Sequence, residues 1–533
     1  MEAVPDTSPK PIPLGQLPAV LSARFAMTWQ QFAVCAGFVM VYLLMSYLPL
    51  FQAITWRHVQ SGNWIVAHRS LPSVDPALPL SDGFRFVTTS WLSDVMFSQI
   101  WRQAGLQGVS SALALVVIGL LVLTFTVFQL RTGRKRLALA ATVLVFALHW
   151  PRLSILRPEL LGLICFTALL LLISVGNESQ AWRSRRMWLG APGLFLLWAN
   201  LDGSVVLGVM VLTGLAVARL TDALRETRSV WVALRDERFH RAIYLAEIAA
   251  VISLLQPAGI DLWIDLFQNS HSSVWWALGG YSPLILATAA GWTIVGVWVM
   301  GSALLRFSDR PILASDVVLI LLASVAVIHN RSLTIWSARL MLFVLLPHLA
   351  NAVERRSLFG AKASRRAFVD GEAVPPLAFA FTMLSLLAVW CGFALSPLAD
   401  PLLGGRPRAP QRIVAKNTPV ALSQFFQQQK LAPAGLVWVP EDWGDWLSLN
   451  GPVGLQVSAN SHLHLLTDRQ KFDIVSVSRG EGNWTKTLDR YGVEWLVVDK
   501  QRQPRLMEVA LTEGKDWSIS YEDAQALVLR RKT

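Results

Sequence analysis

The chain has 533 residues, 53% hydrophobic and only 15% charged, with a mean hydropathy of +0.45. A soluble protein carries about 25% charged residues, so this composition excludes an ordinary soluble enzyme and points to the membrane. The formal net charge of +12 is concentrated in a few short segments, and that distribution removes the need for a nucleic-acid partner.

About thirty mixed residues precede the first apolar run, residues 31–54. That run is too long for the core of a cleaved signal peptide and reads as an uncleaved anchor. Ten more runs follow, at 108–130, 137–150, 156–175, 188–200, 203–220, 242–256, 284–305, 312–329, 333–351 and 377–397. Runs of this kind mark membrane helices. The eleven together predict a polytopic α-helical domain over residues 31–397, after a short N-terminal segment, 1–30.

Between the first two runs lies a polar loop, residues 55–107. It holds Asp75, Asp82 and Asp94, His58 and His68, and Trp56, Trp64, Trp91 and Trp101. A simple anchor has no use for it. SWLSDVMF around Asp94 reads as an amphipathic helix leading to the second span, and Asp75 sits before Pro76 in a Pro-bracketed turn. A base for a hydroxyl acceptor needs a carboxylate at the membrane surface, and Asp75 and Asp94 both stand there. Turn and cap roles are the alternative for each. His58 is a candidate phosphate ligand or acid.

Further polar groups fall at the same ends of the spans. HWPRLSILRPEL (149–160) presents Arg152 and Arg157, whose guanidinium groups suit a phosphate or pyrophosphate, or an interfacial anchor. In the turn WANLDGS (198–204), Asn200 and Asp202 suit substrate hydroxyls or a helix cap. Arg331 and His271 map to this face too. Glu159, Glu247, Asp316 and Arg339 add charge within the spans, where each is a functional candidate. The 23 tryptophans fit interfacial belts, with sugar stacking as the second reading for Trp56, Trp64, Trp91 or Trp275. Cys35, Cys165 and Cys391 all lie in apolar runs, without metal-ligand spacing or a disulfide framework.

Residues 398–533 form a second part, entered through SPLADPLLGGRPRAP. TPVALSQFFQQQ (418–429) opens as a helix, and GLVWVP (435–440) and VEWLVV (493–498) read as buried strands. WTKTLDRYG (484–492) reads as a helix ending at Gly492, and WSISY (517–521) with ALVLRR (526–531) as a closing pair of strands. The tail is therefore a small α/β domain without a phosphate loop, triad or metal motif. No internal repeat is evident, which weighs against a transporter built from inverted halves.

With residues 1–30 placed inside, the cytoplasmic segments hold 21 Lys and Arg against 11 acids. The tail holds 17 against 15, and the rest of the chain 9 of each. This is the positive-inside signature. It predicts a multi-pass protein of a bacterial plasma membrane, with a cytoplasmic N-terminus and an extracytoplasmic tail.

The large first loop, the many spans and the α/β tail resemble the bacterial polytopic glycosyltransferases of the GT-C fold. The likeness rests on WRHVQSGNWIVAHRSLPSVDP (56–76), SWLSDV (90–95), LRPELLGL (156–163), LWANLDGSVVLG (197–208), LQPAGIDLW (255–263) and YGVEWLVVD (491–499). It implies transfer of a sugar from a polyprenyl-phosphate carrier to a glycan, lipid or protein acceptor, with acid/base chemistry in the first outer loop. A divalent metal is left open. Such enzymes generally place an Asp just after the first span; here FQAITWRH has Gln52 and Ile54. Asp202 stands where related sequences often carry His. Asp75 or Asp94 then serves as base, or the chain is a non-catalytic component of envelope polysaccharide assembly. A transporter of lipid-linked glycans is the third reading.

Overall fold

The computed structural model describes residues 26–50, 53–81, 83, 86–176, 185–264, 284–285, 287–355, 376–406, 408–428 and 435–532. Counting helices of about two turns or more, twelve precede the tail among the described residues: α1 Trp29–Tyr47, α2 Ile54–His68, α3 Trp91–Thr132, α4 Lys135–Leu148, α5 Pro158–Gly176, α6 Arg185–Leu201, α7 Val205–Thr227, α8 Glu237–Ser253, α9 Ala289–Phe307, α10 Ala314–His329, α11 Thr334–Arg355 and α12 Pro376–Ala394. Each of the eleven apolar runs carries a helix. Among the described residues, six helices (α1, α3, α5, α7, α11 and α12) are long and apolar enough to cross a bilayer, and α6, α9 and α10 are shorter apolar helices. The architecture is that of a multi-pass membrane protein.

Two boundaries differ from the sequence expectation. The first span ends at Tyr47, not at 54, because Pro49 cannot donate a helical hydrogen bond. Leu50 then bridges to Val414 at the entrance to the tail, with Leu50 N donating to Ile413 O at 2.7 Å and Ala415 N to Leu50 O at 3.0 Å. The polar loop is also more regular than expected. It contains all but the first residue of α2 and the first stretch of α3. α3 has 42 residues, and such a helix is roughly 60 Å long, about twice the thickness of bilayer hydrocarbon. It bends at Gly105, whose φ of 55° and ψ of −148° only glycine adopts without strain. The segment before Gly105 holds Asp94, and the segment after it is the second span.

In the tail, α13 Val420–Gln428 and α14 Glu441–Asn450 flank β1 Leu436–Trp438. β2 Gln456–Val457, α15 Asp468–Ser478, α16 Trp484–Arg490, β3 Trp495–Asp499, α17 Pro504–Thr512, β4 Trp517–Glu522 and β5 Ala526–Arg531 follow. The sheet order is β2-β1-β3-β5-β4, parallel among β2, β1 and β3 and antiparallel at β5 and β4. Strand alternation splits its side chains between two cores. Val437, Val457, Val497 and Val528 face α13 and α14 in a core continuous with the helical bundle. Trp438, Leu496, Val498 and Leu529 face α15, α16 and α17, with Leu78 of the first loop buried among them. The loop and the tail therefore fold as one layer over the end of the bundle.

Candidate functional site

The site begins where α2 meets the start of α3. A Cβ on Gly62 would stand 1.9 Å from the Asp94 carbonyl oxygen, so only glycine lets the two helices come this close. One turn earlier, His58 then meets Asp94: Nδ1 lies 2.7 Å from Oδ1. Ser90 Oγ donates to the same oxygen at 3.2 Å. Arg57 Nη2 lies 3.0 Å from His58 Nε2. A guanidinium can only donate, so Nε2 is the acceptor and Nδ1 carries the proton toward Asp94. Burial, then the charge of Arg57, lowers the His58 pKa and keeps the ring neutral.

A second pair joins the first loop to the tail. His462 Nδ1 contacts Asp75 Oδ2, which also accepts from Asn460 Nδ2 at 3.2 Å. Asp75 Oδ1 accepts from Ala77 N at 2.8 Å. Burial opposes ionisation of Asp75, but these donors outweigh it and hold its pKa at about 2. Burial, then Arg57, pushes His462 down to about 4. The ring is therefore neutral at ordinary pH, with its proton on Nδ1, and Nε2 makes no hydrogen bond among the described residues. Phe86 packs against the ring with centroids 4.9 Å apart.

The tail helix α14 is fixed to α2 by Trp446, whose ring meets the edge of Trp56 at 4.9 Å. Beside it, Asp445 is fully buried. Its Oδ2 accepts from Ser461 N at 3.0 Å, while Oδ1 has no partner among the described residues. Burial raises its pKa to about 7, against the opposing charge of Arg57. A Cβ on Gly444 would stand 1.9 Å from Ala459 O, so glycine is needed for α14 to approach residues 459–462, the segment after β2. Arg57 influences His58, His462, His464 and Asp445, and so lies among all four.

The arginine turn adjoins this cluster. Thr55 Oγ1 donates to Leu156 O at 2.9 Å, and the charge of Arg157 reaches His58. Glu159 is held from both sides, by Arg152 Nη2 at 2.7 Å and Arg157 Nε at 3.0 Å. Arg339 is buried nearby and also feels Glu159; its Nη1 donates to Ile335 O at 2.9 Å, and its Nε and Nη2 have no hydrogen-bond partner among the described residues. Two guanidinium groups thus hold one carboxylate, and a third feels its charge. Asn200 Oδ1 accepts from Trp91 Nε1 at 2.8 Å, and Ser93 Oγ donates to Leu201 O at 2.6 Å, which ties the start of α3 to the 198–204 turn. Asp202 Oδ2 accepts from Ser204 N at 3.1 Å, the turn-closing geometry. Arg331, itself exposed, opens a single turn, Arg331–Leu333, after α10.

Of the residues singled out from sequence, Asp75, Asp94 and His58 gather in one cluster, with Arg152 and Arg157 on the adjoining turn. Asn200 and Asp202 make hydrogen bonds internal to the fold. Asp82, His271 and Trp275 lie outside the described residues. Sequence reasoning missed Arg57, Asp445, Asn460 and His462. The available signal was a polar run, SANSH, directly after a strand, and a glycine-bracketed carboxylate, WGDW. Among the described residues, no three His, Cys, Asp or Glu side chains are grouped as metal ligands.

No family model matches the chain, and no curated protein matches it in sequence. Solved structures do resemble it. ArnT from Cupriavidus metallidurans bound to undecaprenyl phosphate aligns with a TM-score of 0.52 at 13% identity, over 94% of this chain and 97% of that one. The arabinofuranosyltransferase AftD from Mycobacteria aligns with a TM-score of 0.54 at 16% identity, over 95% of this chain but only 40% of its own length. The Archaeoglobus fulgidus oligosaccharyltransferase in the apo form gives a TM-score of 0.50 at 12% identity, over 89% of this chain and 70% of that one. At these identities the likeness is one of fold. The chain is a polytopic membrane protein with the GT-C fold.

Proposed function

We propose that the chain is a membrane glycosyltransferase that moves a sugar from a polyprenyl-phosphate carrier to an extracytoplasmic acceptor. The observation that carries this reading is the His462 ring, held by Asp75 with Nε2 open, at the end of a GT-C bundle beside a cationic turn. Asp75, with its pKa near 2, is a poor base. Its part is to hold the imidazole in one tautomer and to stabilise the imidazolium, as a carboxylate does in a catalytic triad. The acceptor hydroxyl gives its proton to His462 Nε2 as its oxygen attacks the anomeric carbon. The bond from that carbon to the phosphate oxygen breaks, polyprenyl phosphate leaves, and configuration inverts.

The low basicity of His462 has a built-in remedy. After burial, its main depressing influence is the charge of Arg57. A donor phosphate held by Arg152 and Arg157 brings negative charge next to Arg57, so donor binding raises the base toward its working range. Asp94 holds His58, and His58 in turn holds Arg57 in place. The basic segments face the cytoplasm in this reading, with the tail and the site on the other side. ArnT was solved with undecaprenyl phosphate, which is consistent with a lipid-linked donor.

The test is direct. Purified protein is incubated with labelled polyprenyl-phosphate sugars, and wild type is compared with His462→Ala and Asp75→Asn. Undiminished transfer in both variants removes the pair from the mechanism. The second reading, a non-catalytic component of envelope polysaccharide assembly, is favoured by Gln52 and Ile54 at the position where an acid is expected. It predicts donor binding without transfer under any of these conditions.

A further inference from the structure

Two membrane helices stand apart from the bundle. The apolar stretches of α1 and α12 bury only 11% and 17% of their residues inside the protein, against 44–67% for the other four spans. α1 packs on both α3 and α12, and the three helices form most of the wall of an open trough of about 610 Å3. That lies within the range of about 300–1,000 Å3 found for built ligand pockets. Its walls are apolar, with Val34, Phe38, Val39, Ile118, Phe125 and Phe393 prominent. A Cβ on Gly392 would stand 2.5 Å from Val39, so the small residue closes α12 onto α1 and forms the floor.

The one cation among the lining residues stands at one end of this trough. Gln31, Gln129 and Lys135 line it there. Two neighbouring cations are engaged elsewhere, Arg134 with Glu354 at 3.2 Å and Arg131 over the Phe343 ring at 4.3 Å, and Arg136 is exposed and does not line the trough. Lys135 makes no ion pair among the described residues. From Gln31 to Tyr42, at the far end, α1 rises roughly 16 Å, close to half the roughly 30 Å of bilayer hydrocarbon. The trough is therefore as long as the acyl region of one leaflet, with a cation at the headgroup end.

We propose that this trough is a binding site for an anionic phospholipid of the leaflet on the basic side of the protein. The lipid phosphate sits on Lys135 and accepts from the amides of Gln31 and Gln129. One acyl chain lies along α1 between α3 and α12. The occupant completes the packing of the two outlying helices, since at this depth the only solvent is acyl chain. The site is remote from the His462 cluster in sequence and chemistry, so it does not depend on the proposed transfer reaction.

Native mass spectrometry of the full chain in mild detergent tests this, with phosphatidylglycerol and phosphatidylethanolamine as probes. Wild type retains phosphatidylglycerol about fivefold more than phosphatidylethanolamine, the effect of one basic side chain at an anionic headgroup. Lys135→Ala abolishes that preference and leaves the melting temperature of the delipidated protein unchanged. Val122→Trp, which fills the trough from a partly exposed wall position, lowers retention of both lipids. Equal retention of the two lipids by wild type overturns the proposal, as does an unchanged preference in Lys135→Ala. Displacement of phosphatidylglycerol one for one by undecaprenyl phosphate overturns it too, by giving the trough to an isoprenoid carrier. If Val122→Trp does not fold, Lys135→Ala decides alone.

Discussion

The protein contains the same chemical pair twice, built in two different ways. His58 and Asp94 both come from the membrane part, on helices that touch through Gly62. Asp75 and His462 come from opposite ends of the chain and meet across the seam between loop and tail. In both, an aspartate holds Nδ1. The difference is at the far nitrogen. His58 Nε2 accepts from Arg57, whereas His462 Nε2 makes no hydrogen bond among the described residues. One pair is a strut that positions a cation, and in the proposed reaction the other is the base. An imidazole's role follows from what its second nitrogen touches, not from the carboxylate behind it.

Four measurements break or sharpen that contrast. The largest effect is expected from Asp75→Asn, which leaves the shape but favours the wrong tautomer of His462: turnover falls about 10^3–10^4-fold, with donor KM unchanged, in initial-rate assays. Comparable turnover in Asp75→Asn and Asp94→Asn would erase the distinction between the pairs. Asp94→Ala leaves the buried Nδ1–H of a neutral His58 without its acceptor and is expected to cost about 1–3 kcal/mol of stability. Thermal melting in detergent reads that loss, and turnover per folded molecule changes far less than in Asp75→Asn. Arg157→Ala raises donor KM about tenfold, the loss of one charge-assisted hydrogen bond, while kcat holds.

The smallest effect concerns pH. His462 titrates at about 4 in the folded chain against 6.5 in the unfolded one, and Asp445 at about 7 against 3.8. Between pH 4 and 6.5 the unfolded chain holds a proton on His462 and none on Asp445. The folded chain holds one on Asp445 and none on His462. The two differences cancel, so these groups give no slope of stability with pH in that window. Asp445→Asn removes one side of the balance. The unfolded state then binds the extra proton of His462, which adds about 1 kcal/mol per unit across the window to the slope that His464, pushed down to about 3, already gives. A variant profile no steeper than that of the wild type would show that His462 and Asp445 are not balanced in this way.

The bundle was readable because membrane helices declare themselves by apolar length, and the tail strands because GLVWVP and VEWLVV are short buried runs. α2 was hidden. ITWRHVQSGNWIVAH follows the first span with only Pro49 to separate them, and its mixed polarity resembles a loop. The candidate site was half readable. Asp75, Asp94 and His58 stood out as polar groups in a loop too long for an anchor. His462 did not, because a histidine in SANSHLHLL gains meaning only from a partner 387 residues away. The arginines were legible as cations, but not the single carboxylate, Glu159, that they share.

The bridge between Leu50 and Val414 has a consequence for biosynthesis. The exit of the first span is stitched to the entrance of the tail, so that seam cannot close until every intervening helix has been delivered to the membrane. His462 arrives later still. A message cut between the end of the last bundle helix and residue 462 therefore yields a chain with a bundle but no partner for Asp75. Contacts of such long sequence separation are slow to form. The buried pair closes only when the last domain folds down over the first loop.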